Sequence, residues 1–157
     1  MKPADGSRGD APVCEGKRFG IVAARFYREL SDWLTDGARR ALTDCSVADA
    51  DVEAFDVPGC FELPLACRNL IEQRGFDAMV ALGAVIRGET PHFDYVAGEC
   101  ARGLMDVQLR TGVPIGFGVL TTDDVAQAQE RADPARGDKG YEAALAAATL
   151  LRLSTRP

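Results

Sequence analysis

One histidine and one tryptophan occur in the 157 residues, and aromatic residues make up only 7%. A single histidine excludes any centre built from several imidazoles. The five cysteines, at 14, 45, 60, 67 and 100, form no C-x-x-C pair. With so few ligands at such spacings no zinc site is expected. An odd, scattered set of thiols also fits no disulfide framework, and reduced cytosolic cysteines are the simplest account. Long apolar runs are missing: nothing reaches the roughly 20 residues that span a bilayer, and the opening residues do not read as a signal peptide. Positive charge is in deficit. A net charge of −6 argues against a general nucleic-acid binder. No internal repeat is seen, and low complexity is confined to an alanine-rich stretch at the end. What remains is an ordinary soluble composition, 46% hydrophobic and 27% charged. The length favours one domain with a real core.

Residues 1–16 mix Gly, Pro, Ser and charge without periodicity and read as a flexible arm, followed by one domain over 17–157. Residues 19–25 are a short apolar run suited to a buried parallel strand. Helical spacing follows over 28–42, with Leu30, Trp33, Leu34, Ala38, Ala41 and Leu42 on one face. A second strand over 52–57 is stopped by Pro58 and Gly59. A helix over 61–73 ends at Gly75, and a third, fully apolar strand spans 78–86. The next helix, 91–109, carries an inner stripe of Val96, Cys100, Leu104 and Val107 and ends at Gly112. A fourth strand over 114–120 leads to a helix over 125–132 capped by Asp123 or Asp124. Pro134 and Gly137 break that helix, and a last one runs over 139–153. The alternation implies an open parallel sheet covered on both faces, with ligands at the C-terminal ends of its strands. Arg25 and Phe26, residues 59–62 and residues 88–92 all follow strand ends and should meet on one rim.

Residues 83–96, GAVIRGETPHFDYV, hold the histidine. Strand, short loop with Gly88 and Thr90, and helix start make a geometry that suits an anion, because unpaired N–H groups and the helix dipole point the same way. His92 sets an imidazole, which can give and take protons, beside it. From this loop alone an ordinary strand-to-helix turn would be the better reading.

The run resembles the signature of the 6,7-dimethyl-8-ribityllumazine synthase family, and four further blocks match in order: IVAARF at 21–26, VPGCFELPL at 57–65, FGVLTT at 117–122, and ERA at 130–132 with DKGYEAA at 138–144. Together they cover 19–153. Several ordered blocks are far more specific than one motif. The resemblance implies a three-layer α/β/α fold with a four-stranded parallel flavodoxin-like sheet. It also implies joining of 5-amino-6-(D-ribitylamino)uracil to 3,4-dihydroxy-2-butanone 4-phosphate, with release of phosphate and water. That chemistry is the penultimate step of riboflavin biosynthesis and needs no metal and no cofactor.

Residue by residue, the resemblance makes His92 the proton-transfer group. Gly88, Glu89 and Thr90 become the phosphate loop, with Glu89 contributing backbone only. Arg131 becomes a phosphate ligand reaching a neighbouring subunit's site, since a guanidinium grips phosphate with two bonds. Phe26 matches the ring that stacks on the pyrimidine. Gly59, Cys60, Phe61 and Glu62 match the ribityl loop, and Val85 and Ile86 the pyrimidine edge. Phe117 closes the pocket from an adjacent subunit, and Lys139 lies near its pyrimidine end. Each has a plainer reading beside it: core phenylalanines, a solvated Arg131 and Lys139, a first-turn Glu62 favouring the helix dipole. Homopentamers with shared sites, in the cytoplasm, are what the family implies.

Two departures stand out. Tyr27 occupies a position where many members have asparagine. Residues 133–137, DPARG, replace the common GTKAG, a segment that influences assembly of pentamers into shells. A lumazine- or flavin-binding protein would need neither His92 nor Arg131. A nucleotide-binding domain would want a phosphate loop after the first strand, and residues 24–27, ARFY, lack its glycines and hydroxyls. A cage subunit would need no site. An enzyme is the reading that uses all the matched residues.

Overall fold

The computed structural model describes residues 10–154. Four strands form one parallel sheet in the order β2-β1-β3-β4: β1 (Phe19–Ala24), β2 (Val52–Val57), β3 (Ala78–Ile86) and β4 (Ile115–Thr122). The two central strands are the two most continuously apolar, as a sheet covered on both faces requires. Val22 of β1 pairs with Phe55 of β2 on one side and Ala81 of β3 on the other, and Ala81 pairs onward with Phe117.

Helices cover both faces. One side carries α1 (Arg28–Asp44), α4 (Val125–Ala132) and α5 (Lys139–Ser154) over Phe19, Ile21, Val80 and Leu82. The other carries α2 (Leu63–Arg74) and α3 (His92–Thr111) over Val22, Met79 and Ala81. The inner stripe of α3 is the one its spacing predicts, with Cys100, Leu104 and Val107 buried. Gly75 and Gly112 end α2 and α3 at φ of 66° and 71°, where a side chain would be strained. Asp124 is the cap of α4: its carboxylate accepts the Gln127 N–H at 2.8 Å. The region around residue 61 starts later than a single helix would, because Cys60–Glu62 is a 3-10 turn and α2 follows with Pro64 in its first turn.

Of the segment read as an arm, residues 1–9 lie outside the described residues. Within the rest, Cys14 is buried; its N–H donates to Cys45 O at 2.8 Å and its thiol to Ala148 O at 3.7 Å. Among the described residues no helix is long and apolar enough to cross a membrane.

The first and last helices approach closely. A Cβ on Gly140 would collide with the backbone of Leu34, and one on Gly37 would come within 2.8 Å of Tyr141 N. Beside this crossing Asp138 is 1% exposed, and Arg40 grips it through two bonds of 2.7 and 3.1 Å. The Asp138 hydrogen bond holds the Arg40 guanidinium above its ordinary value. Asp138 adopts φ 49°, and its N–H donates to Asp133 O at 3.0 Å, so the turn between α4 and α5 is fixed from both ends. Gly140→Ala should therefore lower stability by about 1–3 kcal/mol, the usual range for overpacking. Chemical denaturation reads this as a lower midpoint at unchanged slope; a midpoint equal to the parent's would show that the helices have room to part.

Candidate active site

The sheet order reverses around β1. The chain steps from β1 outward to β2, then crosses back to β3 on the other side of β1. Loops leaving these strands must diverge, which opens a crevice at their C-terminal ends. A cleft of about 670 Å³ lies there.

Its first wall follows β1 and consists of Phe26 and Tyr27. Phe26 is 75% exposed, and Tyr27 is half-buried with its ring edge-on to Phe26 at 5.0 Å and 73°. Arg25, just before them, ties this loop to the next. Its N–H donates to Val57 O at 2.9 Å, and its guanidinium binds Asp32 at 2.6 Å and lies 4.0 Å from Asp56.

The second wall follows β2 and consists of residues 59–62. The Glu62 carboxylate accepts the Gly59 N–H at 3.0 Å, while Glu62 N–H donates back to Gly59 O at 3.3 Å. The reciprocal pair holds the turn in the manner of a capping box. Glu62 thus lines the cleft and supports the helix start at once. Cys60 is buried beneath, its thiol 3.8 Å from Ala84 O.

The third wall is the end of β3 and the loop beyond: Ala84, Val85, Ile86, Gly88 and Thr90. His92 opens α3, and Thr90 Oγ accepts its N–H at 3.4 Å. The imidazole is exposed and has no hydrogen-bond partner among the described residues. Neither do the N–H groups of Gly88, Glu89 and Thr90 among the described residues, all at the positive end of a 20-residue helix. Phe93, Tyr95 and Val96 complete this wall.

Among the described residues no lysine or arginine lines the cleft. Arg87, beside the loop, is engaged elsewhere: Asp123 at 3.3 Å, Asp94 at 3.5 Å, and the Phe93 ring 4.3 Å from its guanidinium carbon. Among the described residues the cleft has donors for an anion but no balancing charge.

Ten of the residues expected at the site therefore meet: Phe26, Gly59, Cys60, Phe61, Glu62, Val85, Ile86, Gly88, Thr90 and His92. Four do not line this cleft. Glu89 is exposed within the same loop. Phe117 lies on the edge strand β4 and is 49% exposed. Arg131, on α4, is exposed and donates to Gln127 O at 3.0 Å. Lys139 opens α5 and binds Glu142 at 2.7 Å. Phe93 and Tyr95 were missed as wall residues although they sit one and three places beyond His92, inside the same motif. Tyr27, which departs from the common asparagine, lines the cleft as well, and its place next to Phe26 is the signal for it.

Comparison with known proteins gives one family. Residues 16–155 match the family model described as 6,7-dimethyl-8-ribityllumazine synthase. A 6,7-dimethyl-8-ribityllumazine synthase from Desulfatibacillum aliphaticivorans is 47% identical over 140 residues, 89% of this chain and 90% of that protein. One from Syntrophus aciditrophicus (strain SB) is 46% identical over 141 residues, 90% of this chain and 92% of its own.

Thiol chemistry at the cleft is suppressed by its surroundings. Burial pushes the Cys60, Cys67 and Cys100 thiols up to about 12, and Cys45 to about 11. In the unfolded chain cysteine titrates near about 8.5. Above that value the unfolded chain releases protons that the folded chain retains, so folding stability falls as pH rises toward 12 and is fully present below about 8. The slope is at most about 1.4 kcal/mol per pH unit for each thiol. Urea unfolding at pH 8 and 10 should show this loss, and the Cys67→Ala, Cys100→Ala double variant should lose less between the two. Equal losses would mean the thiols titrate normally. Native protein at pH 8 should resist iodoacetamide at all five cysteines and react once unfolded.

Proposed function

The chain belongs to the 6,7-dimethyl-8-ribityllumazine synthase family, and from that premise we propose that it condenses 5-amino-6-(D-ribitylamino)uracil with 3,4-dihydroxy-2-butanone 4-phosphate. The products are 6,7-dimethyl-8-ribityllumazine, phosphate and water, in the penultimate step of riboflavin biosynthesis. The observation that carries the reading is the cleft itself. An exposed aromatic ring, a loop of free backbone donors and the sole histidine share one crevice at the sheet's reversal point.

In this reading catalysis is mostly positioning: an amine and a ketone are held where they react. Phe26 stacks on the pyrimidine, and the Val85 and Ile86 backbone reads its edge. Gly59, Cys60, Phe61 and Glu62 receive the ribityl chain. One Glu62 oxygen is engaged with Gly59, and the other has no partner among the described residues, so it can accept a hydroxyl. Thr90 and the N–H groups of residues 88–90 hold the phosphate. His92 moves protons as carbinolamine collapses, phosphate leaves and the ring closes. Its exposed, unpartnered imidazole at the mouth of the cleft is consistent with that task.

A phosphate dianion needs a cation, and the cleft has none among the described residues. Arg131 and Phe117 supply their groups to the cleft of another copy, and Lys139 lies near the pyrimidine end of the site, which makes the working form a homo-oligomer built from pentamers with shared sites. The exposed Phe117 on an edge strand and the exposed Arg131 on α4 suit residues that face a neighbour. Its place in the cytoplasm fits five cysteines that are all unpaired.

Mixing the purified protein with both substrates should give lumazine absorbance and phosphate in equal amounts, well above the uncatalysed rate. Tight lumazine binding without acceleration would make the protein a binder. His92→Ala should slow turnover toward the low end of about 10²–10⁴-fold; total loss in a folded, ligand-binding variant would mean positioning is not dominant. Arg131→Ala should weaken mainly the butanone phosphate, and an unchanged KM for it would sink that assignment. Refolded mixtures of His92→Ala and Arg131→Ala chains should recover activity that neither has alone, because some clefts then combine an intact histidine with an intact arginine. No recovery in a mixed oligomer would place both residues in one chain's site.

A further inference from the structure

We propose that Tyr27 is a positioning residue for the reaction: its ring braces Phe26 so that an exposed phenylalanine presents a fixed platform to the pyrimidine. The proposal rests on the reading of Phe26 as the stacking ring. Phe26 is the difficulty that Tyr27 solves. At 75% exposure its ring has almost no packing of its own, and a ring free to change rotamer must be immobilised each time a ligand stacks on it. The one aromatic contact found for Phe26 among the described residues is Tyr27, edge-to-face at 5.0 Å and 73°, within the favoured range for such pairs.

Tyr27 can act as a brace because it is itself held. It is half-buried and packs against the core on the α1 face of the sheet, while also lining the cleft. It stands at the N-cap position of α1, and its side chain makes no capping hydrogen bond there. The Ser31 hydroxyl instead binds Ala24 O at 2.7 Å, closing the loop from beneath. The strand end is thus fixed by Arg25 and Ser31, and the residue between platform and helix is left to serve the platform. A small polar residue here would leave Phe26 unsupported on that side. This chain fills the position with a ring.

The test measures KM separately for the ribitylaminouracil and the butanone phosphate in the assembled protein. Tyr27→Leu should raise KM for the uracil substrate by about 2- to 10-fold, the factor expected from losing one aromatic pair. Its kcat and its KM for the butanone phosphate should stay within error. Tyr27→Phe keeps the ring and should bring the uracil KM back. In a Phe26→Leu background, adding Tyr27→Leu should change nothing further, since the brace has nothing to hold. Three results overturn the proposal: a parent-like Tyr27→Leu, an equal Tyr27→Leu effect in the Phe26→Leu background, or a Tyr27→Phe variant as impaired as Tyr27→Leu. The last would make the hydroxyl a direct ligand. If Phe26→Leu alone leaves the uracil KM unchanged, the platform reading fails and the brace with it, which separates that failure from the others. Should Tyr27→Leu not fold, Tyr27→Met preserves bulk against the core and is read by the same criteria.

Discussion

A parallel sheet cannot leave a face to water, and most of this structure follows from that constraint. Each strand must be followed by a helix that crosses back over the sheet, and the crossing has a fixed hand. With β1 and β3 both buried and apolar, helices are needed on both sides. The chain meets the need by building outward from β1 to β2 and then in the other direction to β3 and β4. Two helices end on one face and three on the other. The crevice is a by-product of that reversal. No loop had to be invented for it; three loops that leave diverging strand ends became its walls.

The walls differ in how firmly they are held. Arg25 staples the first two together through Val57, Asp32 and Asp56, and Glu62 closes the second on itself. The third is bound at its base by Arg87 N–H to Thr122 O at 2.9 Å, yet residues 88–90 keep their donors free. Rigidity therefore surrounds the part that must meet a ligand, and unsatisfied groups are concentrated where one would bind. The same economy explains the cysteine in the second wall. Cys60 contributes bulk, and its surroundings keep its thiol neutral, so it is a small apolar residue in practice.

Nearly the whole fold was legible in the sequence because its signals are local. Continuous apolar runs marked β1 and β3, Gly75 and Gly112 marked helix ends, and an aspartate marked the start of α4. The choice between Asp123 and Asp124 was open until geometry decided it: Asp124 caps, while Asp123 faces Arg87. The convergence of Phe26, residues 59–62 and residues 88–92 was also legible, since parallel strands all point their ends the same way. What stayed hidden depends on contacts between distant residues. Nothing near Arg40 or Asp138 announces that they pair across 98 positions. Nothing in the spacing of Phe93 and Tyr95 says which side of a helix start will face a cleft. The roles proposed for Phe117, Arg131 and Lys139 rest on family likeness alone, because no pattern within one chain encodes them.

The packing of α1 against α5 has a further consequence for how the chain is made. During synthesis α1 emerges well before α5, against which it packs closely. Until α5 follows, the surfaces around Leu34, Ala38 and Ala41 have no cover on that side, and Asp138 is not there to meet Arg40. Contacts of such long sequence separation close slowly, since the chain between them must first be ordered. Part of the covering of that face is therefore withheld until α5 has been made. A ribosome that stops early releases a chain with an exposed apolar face, the kind of species that chaperones bind and that aggregates when they do not.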